Sequence, residues 1–259
     1  HTTSYLVRGS QGTAVLVDAG SGIRLISEAL AMDPGLEKIC IFLTHYHLDH
    51  IAGLPTLPML YKPGVQIDVV GPSLEGIDCE EAVNPILSHP YWPFNENKSY
   101  PANLEFKTLP AERSLEPIAC NELTLQWCPV QHPGGSVAYS IDETGTSQSL
   151  VVATDVEWQS SSKEQKNDFY KLCSGPGPVG LLVFDGQYSR EEYEERKGWG
   201  HSTWLDAVEV ARNVNAGKLL VTHHGPEKDD KALSLMEADL QEEMPGAQLA
   251  RQGGHIENP

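Results

Sequence analysis

The sequence predicts an α/β chain in which two mixed β-sheets pack together with helices on the outside. Two observations carry this expectation. Short apolar runs of strand length alternate with segments of helical spacing, and in each half of the chain strands are followed by helices. No repeat at a period of about 20–50 residues and no low-complexity linker interrupts the sequence, so one domain over residues 1–259 is expected.

The elements follow in order. Residues 4–8 and 14–18 read as an antiparallel pair turning at Gln11-Gly12. Gly20-Ser21-Gly22 ends the second strand, and residues 23–31 have helical spacing. The run Ile39-Cys40-Ile41-Phe42-Leu43 is apolar throughout, as a strand buried on both faces should be. Residues 65–70 form another short strand closed by Gly71-Pro72, and 74–87 read as a helix. Residues 89–103 then break the pattern. Pro90, Pro93 and Pro101, with Tyr91, Trp92, Phe94 and Tyr100, suit neither helix nor strand. This Pro/aromatic-rich loop is either a surface loop with its own aromatic cluster or a lid beside a site. In the second half, residues 105–109, 122–130, 137–141, 150–154, 179–184 and 218–222 read as strands, and 163–173, 202–215 and 229–243 as helices. Ser202 or Thr203 caps the second of these helices.

Composition narrows the function. Hydrophobic residues make up 40% of the chain, and no apolar run approaches the roughly 18–20 residues of a membrane span, so no membrane partner is expected. No signal-peptide pattern precedes the first strand, and native residues ahead of His1 are expected. Five separated cysteines without a CxxC pair suggest a reduced, cytoplasmic protein, with Cys40 and Cys173 in the core. The net charge of −18, with Lys and Arg scattered, disfavours a long nucleic acid. A small anionic substrate remains compatible, because bound dications reverse the local field.

The densest chemical signal is His45-Tyr46-His47-Leu48-Asp49-His50, directly after the 39–43 strand. Three imidazoles and a carboxylate in six positions have the composition of a divalent transition-metal site. Alternation sets His45 and His47 in one direction and Asp49 and His50 in another, which suits two metals side by side. Such a pair, about 3.5–4 Å apart, can activate a water and stabilise a leaving oxygen. Three further candidates each follow a strand: His132, Asp155 and His223. Strand ends are where a rigid scaffold aims side chains into one cleft.

The HxHxDH pattern, with Thr44 before it and Ile51-Ala52-Gly53-Leu54-Pro55 after it, resembles the metallo-β-lactamase superfamily, and the later landmarks extend the resemblance over nearly the whole chain. It implies the αββα sandwich. It also implies a ligand set: His45, His47 and His132 for one metal, Asp49, His50 and His223 for the other, and Asp155 bridging, with Asp49 counted among the catalytic groups as well. The ions would be two divalent metals, zinc by default, with Mn or Fe also suited. Asp155 stands where the commonest metallo-β-lactamases use a cysteine, and His47 where flavodiiron-type members use a glutamate, so the site is similar to that of a hydrolase. Trp199-Gly200-His201-Ser202-Thr203 resembles the His-Ser-Thr motif of the ribonuclease Z branch, which makes His201 a general acid. In that branch a HEAT motif supplies an orienting acid. Here Phe184-Asp185-Gly186-Gln187 stands in its place, and Asp185 has either that role or a structural one in a turn.

The expected function is therefore a dinuclear metal hydrolase acting on a small phosphodiester such as a cyclic nucleotide. No Gly- and Lys-rich arm like that of the transfer-RNA-processing members is present. The same metals could instead polarise a carboxylic ester, thioester or lactone. A third reading is a non-catalytic sensor of metal or nucleotide. A homodimer is expected by resemblance alone.

Overall fold

A computed structural model of the chain describes residues 1–33, 35–94, 99–110, 116–146 and 149–256. The described chain divides into two compact units. The first comprises residues 1–111 with 120–123, and the second residues 112–119 with 124–259. Each carries one mixed β-sheet with helices, in line with the predicted class.

The first unit holds β1 (Tyr5–Arg8), β2 (Ala14–Val17), β3 (Lys38–Phe42), β4 (Gln66–Pro72) and β5 (Asn103–Leu109), in that sheet order. β1 and β2 form the antiparallel hairpin, and β2 through β5 run parallel. Parallel strands in mid-sheet are covered on both faces, which is why β2 is apolar and buried at every position. Helix α1 (Ile23–Ala31) buries Ile23, Ser27 and Leu30, and the helical turn α2 (Leu48–Ile51) opens right after the histidine loop. Helix α3 begins at Cys79 and runs to Leu87, later than the predicted start at 74. Residues 74–77 close on each other as a turn instead, with Leu74 and Ile77 bridged. Ile23, Leu30, Val83 and Leu87 pack with Leu16, Ile39, Ile41 and Ile67 in this unit's core.

The Pro/aromatic segment is an ordered cluster where it is described. Phe94 stacks on Tyr100 at 4.2 Å between ring centroids, and Trp92 Nε1 donates to the Tyr61 hydroxyl at 2.6 Å. Residues 95–98 of the predicted loop lie outside the described residues. Cys40 is disulfide-bonded to Cys120, which corrects the expectation of a fully reduced chain. Residues 80 apart meet here because Cys120 returns to the first unit, a pairing that sequence spacing does not reveal. Cys79, Cys128 and Cys173 are buried thiols outside that disulfide.

The second sheet has the order β12-β11-β10-β9-β8-β7-β6. Its strands are β6 (Ile118–Cys120), β7 (Leu123–Val130), β8 (Ser136–Glu143), β9 (Ser149–Ala153), β10 (Val179–Asp185), β11 (Lys218–Thr222) and β12 (Gln248–Leu249). Strands β9 to β12 are parallel, and β8 pairs antiparallel with β9. Helices α4 (Lys163–Cys173), α5 (Arg190–Glu195), α6 (Trp204–Asn213) and α7 (Asp230–Glu243) belong to this unit. Ser162, Ser189 and Thr203 each close a reciprocal capping box with the residue three positions on. Phe169, Leu172, Ala207, Val210 and Leu240 of the helices join Leu182, Phe184 and Val221 of the sheet in one core. No helix among the described residues is long and apolar enough to cross a membrane.

Candidate metal centre

Parallel pairing sets the ends of neighbouring strands at one edge of a sheet. In the first unit Val17 is level with Phe42, so the residues just after β2 stand beside the loop after β3. Asp18 is the first of them. Its φ of 60° is left-handed, a conformation Asp tolerates better than most residues, and its carboxylate is fully buried. Oδ1 accepts from the Thr44 amide at 2.8 Å, and Oδ2 accepts from the Thr44 hydroxyl at 2.9 Å and from His50 Nδ1 at 2.8 Å. The Thr44 oxygen, donating to Asp18, accepts from His45 Nδ1 at 3.0 Å. Both imidazoles therefore have Nδ1 engaged and present Nε2 as the lone-pair nitrogen.

The presented atoms converge. His45 Nε2 lies 3.0 Å from His47 Nδ1, and His50 Nε2 lies 3.4 Å from Asp49 Oδ2. The His45 and His50 rings are 4.2 Å apart, so these side chains form one cluster. Glycine makes this packing possible. The Gly53 amide donates to the Ala19 carbonyl at 2.8 Å, and a Cβ on Gly53 would collide with the Gly20 carbonyl. The histidine loop is thus pinned to the turn after β2.

The second unit repeats the device. Ala153, Phe184 and Val221 lie on one rung across β9, β10 and β11, so Asp155, Asp185 and His223 emerge together at one sheet edge. His223 Nε2 is 3.3 Å from Asp155 Oδ1, and His132 Nε2 is 3.9 Å from the same oxygen. His223 has a φ of 62°, a second left-handed residue at a strand end. His132 Nδ1 donates to the Gly200 carbonyl at 2.8 Å, which again turns Nε2 toward the carboxylate. His201 donates from Nδ1 to Asp185 Oδ2 at 2.7 Å, and its ring stacks on His223 at 4.5 Å. Asp185 also accepts from the amides of Ser202 at 3.0 Å and Gln187 at 3.2 Å. Burial pushes the Asp185 carboxyl up and the neighbouring His201 pulls it back, leaving it above the ordinary range. The ligand atoms of His132, Asp155 and His201 lie within 4.8 Å of one another, as do those of Asp185, His201 and His223.

All nine predicted residues therefore sit in one of two clusters: His45, His47, Asp49 and His50 in the first unit, and His132, Asp155, Asp185, His201 and His223 in the second. The donor chemistry fits divalent metal ions. Buried imidazoles with one nitrogen fixed by an oxygen acceptor and the other turned toward carboxylates match the ligation of Zn, Mn or Fe. His224, the residue after His223, is partly buried and held by the Ala250 carbonyl at 3.2 Å. Burial pushes its imidazole below the ordinary range.

Two contributors escaped the sequence reading. In the sequence Asp18 reads as a strand end, although an acid closing an all-apolar strand is itself a sign of a buried role. Glu157 gave no signal. It is buried and accepts from Ser160 Oγ at 2.7 Å, Gly198 N at 2.8 Å, the Tyr193 hydroxyl at 3.0 Å and Gly200 N at 3.0 Å. Burial pushes its carboxyl up, but these donors outweigh burial and hold it below the usual glutamate range.

The beta-lactamase superfamily domain matches residues 13–224. The chain is 26% identical to ribonuclease Z of Methanopyrus kandleri, over 93% of this chain and 86% of the relative. Its fold is similar to that of human tRNase Z, short form, with a TM-score of 0.69, 17% identity, and coverage of 100% of this chain and 93% of that one. It is also similar to a diphosphatase from the PhnP family, with a TM-score of 0.64, 21% identity, and coverage of 99% and 84%.

Proposed function

Because this chain belongs to the beta-lactamase superfamily, we propose that it is a dinuclear metal hydrolase that cleaves a small phosphodiester such as a cyclic nucleotide. In this reading the two units form one hydrolase domain. His45, His47 and His132 would hold one ion, Asp49, His50 and His223 the other, and Asp155 would serve both. When bound, the two dications would supply an activated water and charge stabilisation for the leaving oxygen. Zinc is the expected metal.

The observation that carries the diester reading is the His201–Asp185 pair. Asp185 accepts the Nδ1–H hydrogen bond at 2.7 Å, so a protonated His201 has its second N–H, at Nε2, to give to a leaving oxygen. A carbonyl ester, thioester or lactone with a good leaving group needs no such donor. The test is His201→Ala assayed on phosphodiesters with good and poor leaving groups. Loss of activity that deepens as the leaving group worsens supports the assignment. Equal activity on all of them, with turnover of esters or lactones, moves the function to the carbonyl class. Tight nucleotide binding without product under any metal would identify a sensor.

One observation favours a second reading, a transfer-RNA-type substrate: relatives of similar length are named ribonuclease Z. The net charge of −18 weighs against a long polyanion. Cleavage of a structured RNA at least as fast as of cyclic nucleotides would decide for it. No membrane partner goes with either reading, and light scattering tests the homodimer. A cytoplasmic location also goes with the proposal, although the Cys40–Cys120 bond weighs against it, since disulfides persist in oxidising compartments.

A further inference from the structure

We propose that Glu157 is a positioning residue that clamps the turn Gly198-Trp199-Gly200 and, through it, aims His132 and His201. The proposal rests on the reading of His132 as a metal ligand and of His201 as the proton donor.

Three hydrogen bonds close a circuit around His132. The Glu157 amide donates to the Gln131 carbonyl at 2.8 Å, which ties the chain just before His132 to Glu157. Glu157 Oε2 accepts from the Gly200 amide at 3.0 Å. The Gly200 carbonyl accepts from His132 Nδ1 at 2.8 Å. The backbone entering His132 and the ring itself are thus both referenced to one carboxylate. The other oxygen, Oε1, accepts from Gly198 at 2.8 Å, so the turn is held on both sides of Trp199.

The turn already has its own closure, from the Trp199 amide to the Arg196 carbonyl at 3.1 Å. The carboxylate adds constraint beyond what the turn requires. Both glycines are left-handed, with φ of 87° and 91°, and a Cβ on Gly200 would collide with the His132 ring and with Pro133. The backbone must pass this close for its carbonyl to reach Nδ1. His201 follows immediately, so the turn that fixes the His132 ring also sets where His201 begins.

Glu157 carries a negative charge with no lysine or arginine partner among the described residues; four neutral donors compensate it. A glutamine could accept from one side but would present an NH2 group to an N–H on the other. That asymmetry makes Glu157→Gln the informative variant.

Zinc affinity by chelator competition, kcat and KM on bis(p-nitrophenyl) phosphate, and amide exchange at Gly198 and Gly200 would be measured for wild type, Glu157→Gln and Tyr193→Phe. Tyr193→Phe removes a donor to the same carboxylate but leaves the turn bonds intact. We expect Glu157→Gln to lose zinc affinity or kcat by about 10–100-fold, the usual effect of removing a group that orients a metal-binding histidine. KM should stay near wild type, and exchange at both glycine amides should accelerate. Tyr193→Phe should keep wild-type affinity. Wild-type affinity and kcat in Glu157→Gln, or equal losses in both variants, would overturn the proposal. If Glu157→Gln does not fold, Glu157→Asp, which keeps the charge on a shorter arm, carries the same two outcomes. Failure of the hydrolase reading is told apart by the wild type: no zinc binding there, with slow glycine exchange that Glu157→Gln still accelerates, would sink that reading and leave the clamp standing.

Discussion

Replacing Asp18 with asparagine isolates the electrostatic work of one carboxylate. Asp18 accepts from the Thr44 amide, the Thr44 hydroxyl and His50 Nδ1, all at 2.8–2.9 Å and all buried. Alanine would orphan all three donors. At about 1–3 kcal/mol for each buried unsatisfied group, the cost is about 3–9 kcal/mol, against a total stability of about 5–15 kcal/mol for a typical domain. Asp18→Ala is therefore expected to unfold the protein or nearly so. Asparagine is different. It tolerates the left-handed φ of 60° at this position, and its carbonyl can still serve Thr44. Its NH2 group, however, faces His50 Nδ1. That contact favours the tautomer with the proton on Nε2, the atom turned toward Asp49. One charge-assisted bond is lost, at about 1.5–3 kcal/mol, and His50 is left in the form that cannot bind a metal. We expect Asp18→Asn to fold, with a urea midpoint reduced by that amount, and to bind zinc about 10–100-fold more weakly in chelator competition. Wild-type zinc affinity in a folded Asp18→Asn protein would refute the orienting role.

Four other outcomes follow from the geometry. Denatured but unreduced protein should show three reactive thiols and five after reduction, because Cys40 and Cys120 are bonded while Cys79, Cys128 and Cys173 lie outside the disulfide; five without reductant would remove the bond. Reduction should cost about 4.5 kcal/mol in the chain-entropy account of an 80-residue loop, read as a lower urea midpoint. The Glu157 carboxyl is depressed in the folded state, so its contribution to stability is complete above the ordinary value of about 4.3 and is lost as pH falls through the folded value; the acid limb of the wild-type unfolding curve should be steeper than that of Glu157→Gln, and identical limbs would contradict this. Gly200→Ala should weaken zinc binding, because the added Cβ collides with His132 and Pro133 in a left-handed backbone; unchanged affinity would show that the Gly200 carbonyl does not orient the ring.

The sequence was most informative where periodicity and chemistry are local. Lys163–Cys173 and Lys218–Thr222 lie where hydrophobic spacing sets them, and His45 through His50 announce themselves by composition. The strand β12 and the helix α5 were not legible, because two residues are too few to show alternation and Arg190–Glu195 is almost wholly polar. The supporting groups were hidden for a different reason. Asp18, Glu157 and the Gly200 carbonyl act on residues brought near by strand register, between 26 and 68 positions away for the contacts that matter. A backbone carbonyl has no signature in sequence at all. The Cys40–Cys120 pairing failed for the same reason, since only the return of residues 120–123 to the first unit brings the two cysteines together.

The most direct test of the central claim is turnover of bis(p-nitrophenyl) phosphate and a panel of cyclic nucleotides by protein stripped of metal and then titrated with zinc or manganese. Asp155→Ala would serve as the control. A dinuclear diesterase should show activity that saturates near two metals per chain, is highest on a compact diester, and is absent in Asp155→Ala. Saturation at one metal, or equal turnover by the Asp155→Ala variant, would contradict it.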